Sequence, residues 1–146
     1  SSGKFYIYST SDFGVYNSNT TGKKIYFRVS GAEKGSIQFN TSSVAYNTTS
    51  DYRLKENVVE MTDALDRISQ LKPSRFNFIG DSNTTVDGVM AHELQEVLPD
   101  AVSGEKDSIN EDGSINPQGV DYAKIVPLLV KSIQELKAEI ELLKSK

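Results

Sequence analysis

The sequence contains no cysteine, which excludes a disulfide framework and any cysteine-ligated metal. Its single histidine, His92, excludes a multi-histidine metal site within one chain. No run approaches the ~20 apolar residues of a membrane span. The opening stretch SSGKFYIYSTSDF lacks a signal-peptide layout and reads as part of a longer polypeptide. Apolar residues make up only 37% of the 146, which points to partner chains completing the core. Basic charge is sparse in the larger, C-terminal part. Residues 51–146 carry eleven Lys/Arg against eighteen Asp/Glu (−7), residues 1–50 carry five against two (+3), and the sum is −4. That balance argues against nucleic acid, which needs clustered cations to displace counterions.

What is present divides at about residue 50. Residues 4–46 read as short strands, KFYIYS, KKIYFRV, GSIQF and SSVAY, separated by polar turns. They suit either a small β-sandwich or the end of a fibrous β-structure with its core between chains. Beyond residue 50, Val58, Met61, Leu65, Ile68 and Leu71 fall on one face of a helix closed by Pro73, with Thr62 and Asp63 able to cap or interrupt it. A hairpin follows, with strands RFNFI and VDGVMA, then a short helix, HELQEVLPDAV, stopped at Pro99. A polar loop comes next, with a tight turn at EDGS.

The last stretch, about 122–146, places Val126, Leu129, Ile133, Leu136, Ile140 and Leu143 on a heptad seam, with Pro127 harmless in the first turn. A seam running this far predicts a coiled coil; the alternative is a helix packed on its own domain. Ile at a with Leu at d leans towards a dimer, but about two and a half heptads leave the oligomer number open.

At the boundary stands TTSDYRLKENV, residues 48–58. A serine needs a group to take its proton, and Lys55 is the neighbouring candidate for Ser50. A lysine acts as a base only where burial favours its neutral form. The two meet if Ser50 ends an extended segment and Lys55 lies in the first turn of a helix that Asp51 caps. Residue types this common make the pattern, taken alone, more often a plain cap. Arg53 can orient Asp51, bind an oxyanion or form a surface ion pair. Glu56 and Asn57 carry no assigned role.

Four blocks in order give the residues a further meaning: SDYRLKENV at 50–58, LKPSRF at 71–76, GVMAHELQEVLPDAV at 88–102 and VDYAKIVPLLVKSIQELKAEI at 120–140. Together they resemble the C-terminal intramolecular chaperone domain of phage tail spikes and fibres, the endosialidase-type or S74 peptidase family. The one visible departure is His92, where the family pattern has an amide or acid.

The resemblance implies an α+β chain. Residues 1–50 would be the end of a trimeric β-rich fibre, and 51–146 a chaperone of helices and a hairpin with a C-terminal coiled coil, assembled as an intertwined homotrimer. It also implies self-cleavage at Ser50–Asp51 by Ser50 and Lys55, with Asp51 at the cut. The partners would be two further copies and the upstream fibre. No cofactor, metal, nucleic acid, membrane or small-molecule substrate is expected. The setting would be the host cytoplasm during phage assembly, with the fibre part kept in the virion tail and the chaperone released.

The chemistry at the junction stays open. Ser50 Oγ reaches its own carbonyl only through a four-membered ring, whereas the Thr49 carbonyl lies within a five-membered one. Cutting after Ser50 therefore calls on Asp51, through a six-membered ring, or on a water. Two other readings compete. One is a trimerisation module that does not cut. The other is a carbohydrate-binding fibre tip, with Tyr6, Tyr8, Tyr16, Tyr26 and Phe27 as stacking surfaces.

Overall fold

The computed structural model describes residues 23–146; the expected strand KFYIYS, with Tyr6, Tyr8 and Tyr16, lies outside them. The chain divides into two compact units between Val58 and Val59, so the compositional boundary at residue 50 falls inside the first.

In the first unit β1 (Lys23–Val29), β2 (Ala32–Phe39) and β3 (Val44–Thr48) form an antiparallel sheet in the order β1-β2-β3. Ser30 and Gly31 both take positive φ, 49° and 78°, the two-residue turn whose twist suits a hairpin. The β2–β3 turn is held by Asn40, whose Oδ1 accepts the Ser42 N–H at 2.8 Å and the Ser43 N–H at 2.9 Å. Gly35 faces Thr48, and a Cβ there would stand 2.6 Å from the Asn47 carbonyl oxygen. Glycine thus lets β3 close onto β2. Gly35 and Ser36 are buried, whereas β3 is exposed along its length.

The second unit contains α1 (Ala64–Ser69), β4 (Ser74–Phe78), β5 (Asp81–Gly88), α2 (Ala91–Val97), β6 (Val102–Ser103), β7 (Gly119–Val120) and α3 (Ile125–Lys144). β4 pairs with β5 and β6 with β7, each antiparallel. Leu94, Ala101 and Ile125 form the core, with Ile68, Leu71, Val89, Leu98, Val102 and Val120 packed around them. α1 lies against α3, where Ala64 and Leu128 are fully buried. The expected tight turn is present at Asn110–Ser114, with Gly113 at φ 82°. No helix among the described residues is long and apolar enough to cross a membrane.

Two expectations need correction. The helix face from Val58 to Leu71 shrinks to α1, and residues 58–63 are not helical. Asp63 sits at φ 58°, a left-handed conformation that no α-helix continues through, and the Thr62 hydroxyl donates to its carboxylate at 3.0 Å. Such local side-chain bonds compete with helix formation. Val58 and Val59 are accordingly exposed. The start of α1 is secured from far along the chain, because Glu135 Oε2 accepts the Leu65 N–H at 2.7 Å. In the hairpin the turn is only Ile79–Gly80. The polar run DSNTT, expected as turn, belongs to β5, and Val89–Met90 falls after it.

Candidate active site

β3 ends at Thr48, and the chain leaves the sheet still fastened to it. The Thr49 N–H donates to the Lys34 carbonyl at 3.1 Å and its hydroxyl donates to the Glu33 carbonyl at 3.1 Å. Asp51 then caps a single 3₁₀ turn, Tyr52–Leu54: its Oδ1 accepts the Arg53 N–H at 2.9 Å, and its carbonyl accepts the Leu54 N–H at 3.1 Å. The extended Asp51 (φ −68°, ψ 132°), this tight turn and the extended Lys55 (φ −120°, ψ 142°) make a hook. The hook folds Lys55 back so that its Nζ donates to Ser50 Oγ at 2.7 Å. The expected cap and Ser–Lys contact are both there, but Lys55 stands at the C-terminal end of a 3₁₀ turn, not in the first turn of an α-helix.

Arg53 holds Asp51 from both sides, with Nε to Oδ1 at 3.0 Å and Nη2 to Oδ2 at 2.6 Å. That guanidinium, and then the Arg53 backbone N–H, lower the Asp51 carboxyl below its ordinary range; the carboxylate in turn raises Arg53. Of the three readings of Arg53, the geometry is that of the surface ion pair, which also holds the Asp51 carboxylate in place. Ser50 and Lys55 are both exposed in the single chain. Sequence reasoning weighed Thr49 only as a carbonyl within reach of Ser50 and missed its double attachment to β2, because a threonine side chain at a strand end carries no chemical signal of its own.

The six seam residues, Val126, Leu129, Ile133, Leu136, Ile140 and Leu143, are between 42% and 69% exposed. α3 meets its own unit through a different set, Ile125, Leu128 and Ser132, which are buried. Of the remaining candidates, His92 lies on α2, in the second unit. Tyr26 and Phe27 are successive residues of β1 and face opposite sides of the sheet, so they make no common stacking platform. The Arg28 guanidinium lies 5.0 Å from the Tyr26 ring centre. Among the described residues no three His, Asp or Glu gather as metal ligands.

Comparison with known proteins places its match on this junction. Residues 50–103 match the Peptidase S74 family model, described as chaperone of endosialidase, and the match begins at Ser50. The chain is 33% identical over 102 residues, 66% of its length, to long tail fiber protein Gp37 of Enterobacteria phage K3. The same identity and coverage relate it to Gp37 of Enterobacteria phage T2. The chain spans 8% and 7% of the length of these two relatives.

Proposed function

From an endosialidase-chaperone match that starts on Ser50, we propose that this chain is the C-terminal assembly chaperone of a phage tail fibre, and that it releases itself by cutting Ser50–Asp51. The observation that carries the reading is the 2.7 Å contact between Lys55 Nζ and Ser50 Oγ at the first residue of the matched segment.

The reaction is one hydrolysis per chain. A water oxygen adds to the Ser50 carbonyl carbon, the Ser50–Asp51 C–N bond breaks, and the products are a Ser50 carboxylic acid and an Asp51 α-amine, which then exchange the second water proton to become carboxylate and ammonium. Neutral Lys55 takes the water's proton through Ser50 Oγ and returns it to the departing Asp51 nitrogen. Water is favoured over Asp51 as nucleophile because both Asp51 oxygens are engaged by Arg53. Ser50 and Lys55 are exposed in the single chain, so neighbouring copies are needed to exclude bulk water from the pair. Cutting thus follows assembly.

Assembly itself runs through the exposed seam of α3, as a three-stranded coiled coil that gathers the copies and fixes their register. Fibrous β-structure has high contact order and forms slowly, so three tethered chains shorten its search. Once the chaperone is cut away, the fibre's persistence becomes a matter of unfolding rate.

The test is the intact mass of the full chain beside Ser50→Ala and Lys55→Ala. The reading expects wild type in two fragments divided between Ser50 and Asp51, with both variants whole. Wild type remaining whole as an assembled trimer would reduce the function to assembly alone.

A further inference from the structure

We propose that Thr49 is a positioning residue that makes cutting conditional on the folded strand β2. The inference rests on the self-cleavage reading above.

The regular β2–β3 pairing ends with Gly35 opposite Thr48. Thr49 extends the attachment by one residue and doubles it, since its N–H and its hydroxyl each bond a carbonyl, those of the consecutive residues Lys34 and Glu33. Two bonds to one short piece of strand fix the position and the rotation of Thr49, where one would leave it free to swivel. On the far side of the bond to be cut, Asp51 is fixed by its cap of the 3₁₀ turn and by Arg53. The Ser50–Asp51 peptide is therefore strung between two fixed points, and only one of them is local. The Asp51 point forms within five residues of chain. The Thr49 point requires that β2, some sixteen residues earlier, is already folded and paired.

Two consequences follow. In a chain whose fibre end has not folded, the Thr49 side of the Ser50–Asp51 peptide has no anchor, and a misplacement of the order of 1 Å at a reacting centre slows chemistry by about a hundredfold. Unfolded fibre is then spared from premature release. The same clamp also bears on which bond is cut. Attack by Ser50 on the Thr49 carbonyl requires the Thr49–Ser50 peptide to rotate and pyramidalise, and a Thr49 tied twice to β2 resists that movement. The hydroxyl of Thr49 thus helps to direct cutting to the bond after Ser50.

The acceptors are backbone carbonyls, so the donor is the part that can be removed. Thr49→Val keeps the β-branched shape and deletes the hydroxyl donor; Thr49→Ser keeps the donor. Both are compared with wild type in the full chain, following fragment appearance by intact mass after refolding from denaturant. Melting temperatures are taken for the uncuttable Lys55→Ala chain with and without Thr49→Val. The expected result is about a tenfold slower cut for Thr49→Val, a rate within about threefold of wild type for Thr49→Ser, and unchanged melting of the uncuttable pair. Thr49→Val cutting at the wild-type rate overturns the proposal, as does Thr49→Ser being equally slow, or a fall in melting that accounts for the loss. A wild type that does not cut at all defeats the self-cleavage reading itself, so the two failures are distinguishable.

Discussion

The two faces of α3 predict opposite behaviour for chemically identical substitutions. Leu128 is 1% exposed on α3, the helix that packs against α1 and its buried Ala64. Truncating a buried leucine to alanine costs roughly 2–5 kcal/mol, least where the surroundings can collapse. Five apolar residues are buried among those described, Ala64, Leu94, Ala101, Ile125 and Leu128, and so sparse a core can relax. Leu128→Ala should therefore cost about 2–3 kcal/mol, a substantial part of the roughly 5–10 kcal/mol a small domain possesses. Leu136 and Ile140 are 44% and 42% exposed on the seam face. The double variant Leu136→Ala/Ile140→Ala leaves the buried face of α3, Ile125, Leu128 and Ser132, untouched. The assay is thermal unfolding across a hundredfold range of protein concentration, with sedimentation for the associated state. Leu128→Ala should melt lower by a margin that persists at every concentration. The seam variant should match wild type at high dilution and fall behind as concentration rises, because association stabilises only the chains that can associate. A seam variant that loses as much stability at high dilution as Leu128→Ala would mean that the seam is part of the single chain's fold, and the coiled-coil assignment would be wrong.

Gly35→Ala should lower the melting of the first unit by about 1–3 kcal/mol, the ordinary cost of overpacking, because the new Cβ meets the Asn47 carbonyl at 2.6 Å; Gly31→Ala, with open space at its Cβ, separates the strain of a positive φ from the clash. The Glu60–Lys131 pair predicts a pH dependence. Lys131 lowers the Glu60 carboxyl by hydrogen bond and then by charge, while Glu60 raises Lys131. A depressed carboxyl stabilises the fold above its ordinary value and loses that contribution as pH falls through its folded value; the raised lysine contributes below its ordinary value and loses it as pH climbs through its folded one. The melting difference between wild type and Glu60→Gln should thus hold near neutrality and shrink from about pH 6 to about pH 3; a constant difference would assign the effect to shape and not to charge.

Much of this architecture was legible from local pattern. β1 is the run KKIYFRV, α2 begins one residue before HELQEV, and α3 covers the heptad stretch almost to the chain end. Those elements follow their own periodicity. The helix from Val58 failed because spacing alone does not show what a face packs against. Ile68 and Leu71 pack against the core and Leu65 is half-buried, whereas Val58 is exposed and Asp63 breaks the helix before Ala64. The cap on α1 comes from Glu135, seventy residues away, which no local reading supplies. The site was legible in identity and only partly in form. Ser50 and Lys55 meet as their spacing allowed, but through a 3₁₀ hook. The Thr49 attachment depends on strand register, and register is set by tertiary pairing.

The exposed apolar residues also constrain how the proposed assembly completes the site. Six half-exposed seam side chains, each worth about 1.5–3 kcal/mol if wholly buried, would yield on the order of 5–9 kcal/mol per chain from what remains to be covered. Association costs an estimated 4–15 kcal/mol in lost freedom alone, so a seam this short is marginal on its own. Further burial is needed, and the chain offers it beside the cut: Tyr52, Leu54, Val58 and Val59 are between 73% and 84% exposed in the segment that carries the hook. Tyr52 and Leu54 belong to the same short turn that brings Lys55 to Ser50, so in the proposed assembly a neighbour seated on that turn would lie close to the pair. On the proposed reading, the closing of neighbours over residues 52–59 would both stabilise the assembly and exclude bulk water from the exposed Ser50–Lys55 pair.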